Sequence, residues 1–268
     1  MRLTLTLAAV ISAGAISAEA EAKAIIYTED FEDSVGFSVK EDTINNPSGV
    51  QFSDGGEDFF ARIAVADDST PDVPTNPGVA GSYNISGVQG SFFFGGMDLD
   101  GDTPFGGIQV LDIAGINITG YENLSFSGLF AEDDDGTNQD IDALDSLLLE
   151  YQLDGNGFQN LLAFENDGST FNSAFSRDTD FDGDGDGAEL TDVLTQFSAA
   201  ISGTGSLLDL RFTATLDSGD EDFAIDQFQV SGDLSAQAVP EPGTMLLLGV
   251  AGLGGLVSQR KRFAKAAA

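Results

Sequence analysis

The segment Asn123–Phe130 reads NLSFSGLF, and this pattern decides the fold class. Its large apolar residues Leu124, Phe126 and Phe130 stand an even number of positions apart, so they face the same side of an extended chain. Serines occupy the alternate positions at the start of the segment. Such alternation is typical of a β-strand with one face in a hydrophobic core and the other face in water.

Four further segments alternate in the same way: Asp58–Ile63, Ser146–Leu153, Leu208–Ala214 and Asp222–Val230. Turn residues (Gly, Asp and Asn) separate them, and the run DGNG at Asp154–Gly157 predicts a hairpin turn. About ten such strands can be counted, and no long amphipathic helix. The chain therefore predicts an all-β fold, a two-sheet antiparallel β-sandwich of the jelly-roll-like type.

The composition of the 268 residues excludes several classes of protein. The chain has no Cys, no His and no Trp, so it has no disulfide framework, no zinc or haem site built from Cys or His, and no Ser-His-Asp or Cys-His catalysis. It has 45 acidic and 10 basic residues, a formal net charge of −35. Nucleic acid is therefore not an expected partner, because phosphate binding needs a basic face.

Residues 1–24 have the pattern of a Sec-type signal peptide. Arg2 precedes a mostly apolar run, Leu3–Ile16, and small residues of the A-x-A type follow. Cleavage after Ala20 and cleavage after Ala24 both fit this pattern. We expect an N-terminal signal helix that directs the chain to the Sec machinery.

Residues 236–268 form a second sorting element with three parts. These are a proline-glutamate-proline motif, an apolar run and a basic cluster: Pro240, Glu241 and Pro242, then Met245–Val257, then Arg260, Lys261 and Arg262. As a helix, the thirteen apolar residues span about 20 Å, whereas a bilayer core is about 30 Å thick. We expect a short hydrophobic helix that crosses the membrane only if flanking residues enter it, with the basic cluster as a stop on the cytoplasmic side.

This tail resembles the PEP-CTERM sorting domain of Gram-negative bacteria in the order, spacing and terminal position of its three parts. The resemblance covers about the last thirty residues. It implies that exosortase, a membrane transpeptidase-like protease, is a partner that cuts near the motif. It also implies transient anchoring in the inner membrane through the C-terminal segment before processing, and a final place at the cell surface or in an exopolysaccharide matrix. A plain C-terminal membrane anchor is the alternative.

Residues 25–235 are expected to form one acidic domain. Every acid except Glu19, Glu21 and Glu241 lies between residues 25 and 239, so 42 acids there stand against four basic residues, a net charge of −38. Charge of this size opposes compaction through self-repulsion. The domain must therefore spread its acids over the surface or neutralise some of them with cations.

The order of the predicted strands is similar to that of secreted bacterial jelly-roll modules of the non-catalytic, carbohydrate-binding and lectin-like kind. The similar residues are Glu29–Glu32 (EDFE) in the opening strand and Ala224–Val230 (AIDQFQV) in the closing strand. The resemblance implies that these two strands pair and that acids there can hold a structural calcium.

The segment Asp178–Glu189 (DTDFDGDGDGAE) matches the acid spacing of the twelve-residue EF-hand calcium loop. Acids stand at positions one, three, five, seven, nine and twelve, and Gly183 stands at position six. Alternate carboxylates can turn their oxygens toward one hard cation, and the last Glu can bind through both oxygens. The predicted calcium ligands are Asp178, Asp180, Asp182, Asp184, Asp186 and Glu189.

Two features of this loop depart from the EF-hand pattern. Gly185 stands at a position that is normally apolar, and no clear helix precedes the loop. The segment Val193–Ile201 after it fits a helix or a strand; we favour a strand, which places the loop between strands. A solvated Asp-Gly connection without metal is the alternative, and the shorter acidic runs at 98–102 and 132–136 are weaker calcium candidates.

Catalysis is not expected. With neither His nor Cys, the workable chemistry is a pair of carboxylates, as in glycosidases. Glu150, Glu165 and Asp226 lie on or beside predicted strands, but no short motif links any two of them. Because the domain contains so many acids, the presence of two of them on neighbouring strands is not evidence of a catalytic pair.

The sequence therefore predicts an exported, exosortase-sorted protein of the cell surface or extracellular matrix. Its body would be a structural or matrix-associated β-sandwich stabilised by calcium. A carbohydrate-binding module for exopolysaccharide is the alternative. Sugar-binding platforms usually stack Trp or Tyr on the ring, and a chain with no Trp and four Tyr weighs against it.

Overall fold

In the computed structural model of the chain, the described residues are 22–33, 35–40, 52–53, 59–64, 85–97, 99, 107–133, 141–168, 173–219 and 221–235. They contain thirteen strands and no helix. The strands are β1 (Ala24–Glu29), β2 (Ser38–Lys40), β3 (Phe52–Ser53), β4 (Phe59–Ala64), β5 (Phe92–Met97), β6 (Ile108–Asn117), β7 (Tyr121–Ala131), β8 (Ser146–Leu153), β9 (Gln159–Glu165), β10 (Ser176–Asp178), β11 (Thr195–Ala200), β12 (Leu207–Thr215) and β13 (Asp222–Leu234).

These strands form two antiparallel sheets. The first, sheet A, has the order β11-β7-β13-β5-β4-β3, and β1 also pairs with β13. The second, sheet B, has the order β10-β9-β8-β12-β6-β2. The predicted all-β, two-sheet antiparallel sandwich is therefore confirmed. The expected signal helix and C-terminal hydrophobic helix lie outside the described residues, except for Ala22–Ala24.

The long strand β13 lies at the centre of sheet A and has two partners along one edge. Its residues Asp222–Ile225 pair with β5, and Phe228–Gly232 pair with β1. The pairing of the first and last strands is thus as expected. The opening strand ends at Glu29, however, because Phe31 has φ 54° and turns the chain away before the predicted EDFE run is complete.

Phenylalanine rings from both sheets meet between them and form a seam. Phe130 of sheet A lies 4.9 Å from Phe164 of sheet B, measured between ring centroids, and Phe212 of sheet B lies 5.1 Å from Phe223 of sheet A. Such aromatic pairs stabilise a core by about 0.5–1.5 kcal/mol beyond their buried area. The buried Phe residues in the described part of the chain thus supply much of the packing that opposes the charge of the domain.

Strand β7 has the faces that its sequence predicts. Leu124, Phe126 and Phe130 are each only 1% exposed. Gly128 lies on the same inner face, where a Cβ atom would come within 3 Å of the rings of Phe228 and Phe126. A glycine is required here because the two rings occupy the space that a side chain would need.

The predicted hairpin at Asp154–Gly157 connects β8 and β9. Asp154 and Gly155 have φ values of 50° and 74°, the left-handed conformation that tight hairpin turns use. The Asp154 carboxylate also accepts hydrogen bonds from the backbone N–H groups of Ser206 and Leu207. The turn is therefore tied to the start of β12.

Candidate functional site

The EF-like loop begins at the end of β10. Asp178, at position one of the pattern, is 2% exposed. Its carboxylate accepts hydrogen bonds from the backbone N–H groups of Asp180, Phe181 and Gly183. Since three donors point at one carboxylate, the first half of the loop is folded around the first acid of the pattern.

Three of the six predicted ligands come together in this loop. One carboxylate oxygen from each of Asp178, Asp180 and Asp182 lies within 4.8 Å of the others. The charge of Asp182 is the main cause that raises the pKa of the exposed Asp180 carboxyl. A cation held between the three would turn this repulsion into attraction.

The other three predicted ligands do not belong to this group. Asp186 accepts hydrogen bonds from the N–H and hydroxyl of Thr179, which lower the pKa of its carboxyl. Asp184 packs against Gly168, and Glu189 pairs with Ser176 through a backbone bridge. In an EF-hand, position seven binds through its carbonyl and position nine often through water. The six-residue assignment stays a prediction.

The strand expected after the loop is present as β11, with Phe197 and Ile201 buried. The EF-like loop therefore connects β-structure on both sides and has no flanking helix. Of the weaker candidates, the run at 98–102 is described only at Leu99, and the run at 132–136 only at Glu132 and Asp133.

A second acidic group was not predicted from the sequence. Carboxylate oxygens of Asp142, Asp145 and Asp217 lie within 4.8 Å of one another, and the carboxyl of Glu221 faces that of Asp145. Its members come from two loops, one before β8 and one between β12 and β13. The signal in the sequence was weak: an acid directly precedes each of two predicted strands, Asp145 before β8 and Glu221 before β13.

Burial makes the ionised forms of Asp145 and Glu221 unfavourable. It is the main cause that raises the pKa of both Asp145 and Glu221, and the neighbouring charge of Asp145 raises the pKa of Glu221 further. Asp145 is 0% exposed and Glu221 is 1% exposed. Without a cation, the raised pKa of Glu221, about 9, lets its carboxyl keep a proton and donate a hydrogen bond to the Asp145 carboxyl.

Glu165, at the end of β9, lies between the two acidic groups. Burial, and then the charges of Asp178, Asp145 and Asp184, raises its pKa to about 7. In sheet B, Ser146 pairs with both Glu165 and Thr215, and Glu165 pairs with Ser176. This register brings both groups to one end of sheet B, called here the acidic end: Asp142, Asp145, Glu165, Asp178, Asp180, Asp182, Asp184, Asp217 and Glu221.

The acids at the junction of the first and last strands are arranged differently. Both oxygens of Asp226 accept backbone N–H groups, from Gln89 at 2.8 Å and Gln227 at 2.7 Å. The oxygens of Glu29 accept the N–H of Phe31 and the hydroxyl of Tyr27. In the described part of the chain no three carboxylate oxygens meet here within 4.8 Å, and the calcium that the resemblance implies at this junction stays a prediction.

The three carboxylates considered for catalysis lie on different strands. Glu150 lies on β8, where it pairs with Arg211, and Glu165 ends β9 of the same sheet. Asp226 is fully buried on β13 of the other sheet. Burial is the main cause that raises its pKa to about 7, and the charges of Glu32 and Asp30 raise it as well.

An open groove of about 330 Å³ crosses the outer face of sheet A. None of its lining residues is charged, although the domain is strongly acidic; they are Gln89, Ser127, Gly128, Leu129, Gln196, Gln227 and Gln229. Gln227 has φ 50° at an irregularity in the pairing of β13 with β7. Strained, bulged residues cluster where proteins bind ligands.

The N-terminal targeting segment meets the sandwich at β1. Ala24 is the first residue of β1 and pairs with Gly232, while Lys23 donates a hydrogen bond to the Ser125 hydroxyl. Of the two cleavage positions that fit the sequence, the one after Ala20 leaves β1 complete. Both positions stay predictions.

The residues of the C-terminal sorting element, from the Pro240–Pro242 motif to the Arg260–Arg262 cluster, lie outside the described residues. None of the described residues belongs to a helix able to span a bilayer. Residues 238–262 match the family model described as the PEP-CTERM protein-sorting motif. The chain therefore carries this motif, which implies an exported protein that is processed by exosortase and anchored transiently in the membrane beforehand.

Several solved structures resemble the fold at low identity. The CBM22-1 xylan-binding domain of Xyn10C from Paenibacillus barcinonensis is 14% identical, with 82% of this chain and 100% of that chain covered and a TM-score of 0.38. The K3 cleaved adhesin domain of Lys-gingipain from Porphyromonas gingivalis W83 is 15% identical, with coverages of 78% and 99% and a TM-score of 0.41.

The Stig cyclase Fisc from Fischerella sp. TAU is 9% identical, with coverages of 80% and 100% and a TM-score of 0.44. These proteins include a sugar-binding domain, an adhesin domain and a cyclase, and likenesses at this level carry no argument about ligand or activity. No curated protein matches the chain.

Proposed function

We propose that the protein is an exported, exosortase-sorted component of the cell surface or extracellular matrix, with a structural, non-catalytic β-sandwich stabilised by calcium. The observation that carries the proposal is the PEP-CTERM motif at residues 238–262. A signal-peptide pattern at residues 1–24 agrees with export through the Sec machinery. The basic cluster after the apolar run suits a temporary stop on the cytoplasmic side.

Two properties of the sandwich support a role for calcium. Carboxylate oxygens from Asp178, Asp180 and Asp182 converge within 4.8 Å, and calcium prefers six to eight oxygen ligands. The domain also carries 42 acids against four basic residues. A divalent cation that binds the folded state better than the unfolded chain stabilises the fold by mass action.

Localisation tests the sorting part of the proposal. Four samples are compared by cell fractionation: the wild-type chain, a chain without its last thirty residues, a Pro240→Ala/Glu241→Ala/Pro242→Ala variant, and the wild-type chain in a strain that lacks exosortase. We expect the wild-type chain to be shortened and to reach the surface or medium. The motif variant, and the wild-type chain without exosortase, should stay full-length in the membrane.

The chain lacking its last thirty residues should instead leave the membrane unsorted, because it has neither the apolar run nor the basic cluster. Identical processing of the wild-type chain and the motif variant would contradict the proposal. Full-length wild-type chain found soluble in the cytosol would contradict it as well.

Carbohydrate binding is the second candidate, and the uncharged groove favours it. Its amide and hydroxyl groups can exchange hydrogen bonds with sugar hydroxyls, and the absence of charge avoids repulsion of acidic polysaccharides. None of the lining residues is aromatic, which weakens this candidate because stacking normally supplies much of the affinity for sugars.

A glycan array tests this candidate. If the groove binds sugars, Gln196→Ala and Gln229→Ala should abolish a signal that Gln152→Ala, on the other sheet, retains. A signal that is unchanged by the groove variants would exclude the groove as the binding surface.

A further inference from the structure

The acidic group at the crossover between the two sheets has features that the EF-like loop lacks. Asp145 lies directly before β8, and Asp217 and Glu221 lie in the segment that leaves β12 in sheet B and enters β13 in sheet A. Since Ser146 pairs with Thr215, the ends of β8 and β12 are adjacent. The group therefore lies where the chain passes from one sheet to the other.

An unpartnered atom points to a missing ligand at this place. Asp145 is 0% exposed, and its Oδ1 has no hydrogen-bond partner among the described residues. Its Oδ2 accepts the backbone N–H of Asp142, at 2.6 Å. A buried carboxylate oxygen without a donor is costly, and more so in the company of other carboxylates.

The group facing Asp145 supplies no donor when it is ionised. The Glu221 carboxyl lies beside the Asp145 carboxyl, and its Oε2 accepts the backbone N–H groups of Asp217 and Ser218. Two ionised carboxylates cannot hydrogen-bond to each other, so without a cation the pair must keep a proton, as the raised pKa of Glu221 indicates. A positive charge between them would satisfy both.

We propose that a divalent cation, calcium, binds between Asp142, Asp145 and Asp217, with Glu221 beside it. The donors are hard carboxylate oxygens, and several of them converge from two loops, which suits the large and flexible coordination shell of calcium better than the strict octahedron of magnesium. This cation clasp is separate from the Asp178 loop and does not rest on it.

The clasp would fix the crossover between the sheets. It joins the loop before β8 to the segment between β12 and β13, so one ion restrains both sheets of the sandwich at the acidic end. The carboxylate of Glu221 already holds the N–H groups of Asp217 and Ser218. Binding at this point would order the crossover without any additional apolar contact.

Calorimetric titration of the full chain with calcium chloride, after removal of metal by chelator, tests the proposal. Asp145→Asn keeps the side-chain shape but removes the charge. Asp217→Asn is a milder variant, because Asp217 is exposed and its substitution leaves the core intact. Asp180→Asn is the matched control, since it is an exposed acid of the EF-like loop.

We expect Asp145→Asn and Asp217→Asn each to bind one calcium fewer than the wild type, or to bind that ion at least about tenfold more weakly. The Asp180→Asn control should keep the clasp ion. If both clasp variants bind calcium with wild-type number and affinity, the proposal is overturned, whatever Asp180→Asn does. A loss confined to Asp180→Asn would support the EF-like loop and also overturn the clasp.

Thermal unfolding separates metal binding from a merely structural role. In chelator, Asp145→Asn should melt at or above the wild-type temperature, because it removes a buried charge that has no cation beside it. In calcium it should melt below the wild type, which gains the bound ion. A variant that is equally destabilised in both solutions would overturn the clasp; if Asp145→Asn does not fold, the same comparison is made with Asp217→Asn.

Discussion

The phenylalanine seam and the acidic end of sheet B lie in the same sandwich but are held together in different ways. In the seam, Phe130, Phe212 and Phe228 pack against rings that the chain itself supplies. At the acidic end, burial and neighbouring charges raise the pKa values of Asp145, Glu165 and Glu221. The seam needs no ligand for its packing, whereas we expect the stability of the acidic end to depend on the cations in the solution.

The largest expected effect breaks the seam. Phe228 is fully buried and contacts the rings of Phe31, Phe126 and Phe212. We expect Phe228→Ala to lower the free energy of unfolding by about 3–5 kcal/mol, measured by urea unfolding. The loss should be equal in calcium and in chelator, and a loss that depends on calcium would contradict the separation of the two regions.

Removal of calcium is expected to have the next largest effect. One site that is saturated a hundredfold above its Kd contributes about 2.7 kcal/mol, so EGTA should lower the melting temperature by several degrees. Phe228→Ala should keep this calcium increment, because it leaves the acidic end intact. An unchanged melting temperature in EGTA would reject a structural calcium in either acidic group.

Features that depend on residues close together in the sequence could be predicted from it, and features that depend on distant residues could not. The strand faces of β7 and β8 could be read from residues two positions apart, since alternation is local. The EF-like loop could be found because all its acids lie within twelve consecutive residues. The group of Asp142, Asp145 and Asp217 could not, because only the pairing of β8 with β12 brings its two loops together.

The opening strand shows a second kind of failure. The run EDFE at Glu29–Glu32 was expected to continue β1, but Phe31 takes a left-handed conformation and its ring packs against Phe37 and Phe94. Tertiary burial of one ring thus overrides the local preference for an extended chain. Such a turn has no signal in the sequence, because phenylalanine rarely adopts positive φ.

A smaller effect concerns pH and Asp226, a buried acid outside the acidic end. The pKa of Asp226 in the folded chain is raised to about 7, above its ordinary value of about 3.9. Between these values the unfolded chain binds fewer protons than the folded chain, so this group makes stability fall as pH rises from about 4 to about 7. Protonated at low pH, Asp226 adds no such penalty.

Asp226→Asn should remove this pH dependence. The difference in unfolding free energy between wild type and variant is measured in EGTA across that range. It should favour the wild type most at the lowest pH. The variant also loses one acceptor for the N–H of Gln89 or Gln227, which is a constant offset. A difference that does not vary with pH would show that Asp226 does not titrate as stated.

The smallest expected effect concerns Arg211, a positive charge that the chain itself supplies. The Arg211 Nε donates to Asp112 at 2.9 Å, and its guanidinium lies 4.0 Å from the Phe158 ring centroid. Both partners of the ion pair are partly exposed, at 27% and 11%, so Arg211→Ala should cost only about 1 kcal/mol. The wild-type advantage over the variant should shrink in high salt, which screens the ion pair, and should not change with EGTA. If EGTA alters it, calcium acts on sheet B as a whole and the acidic end is not a separate region.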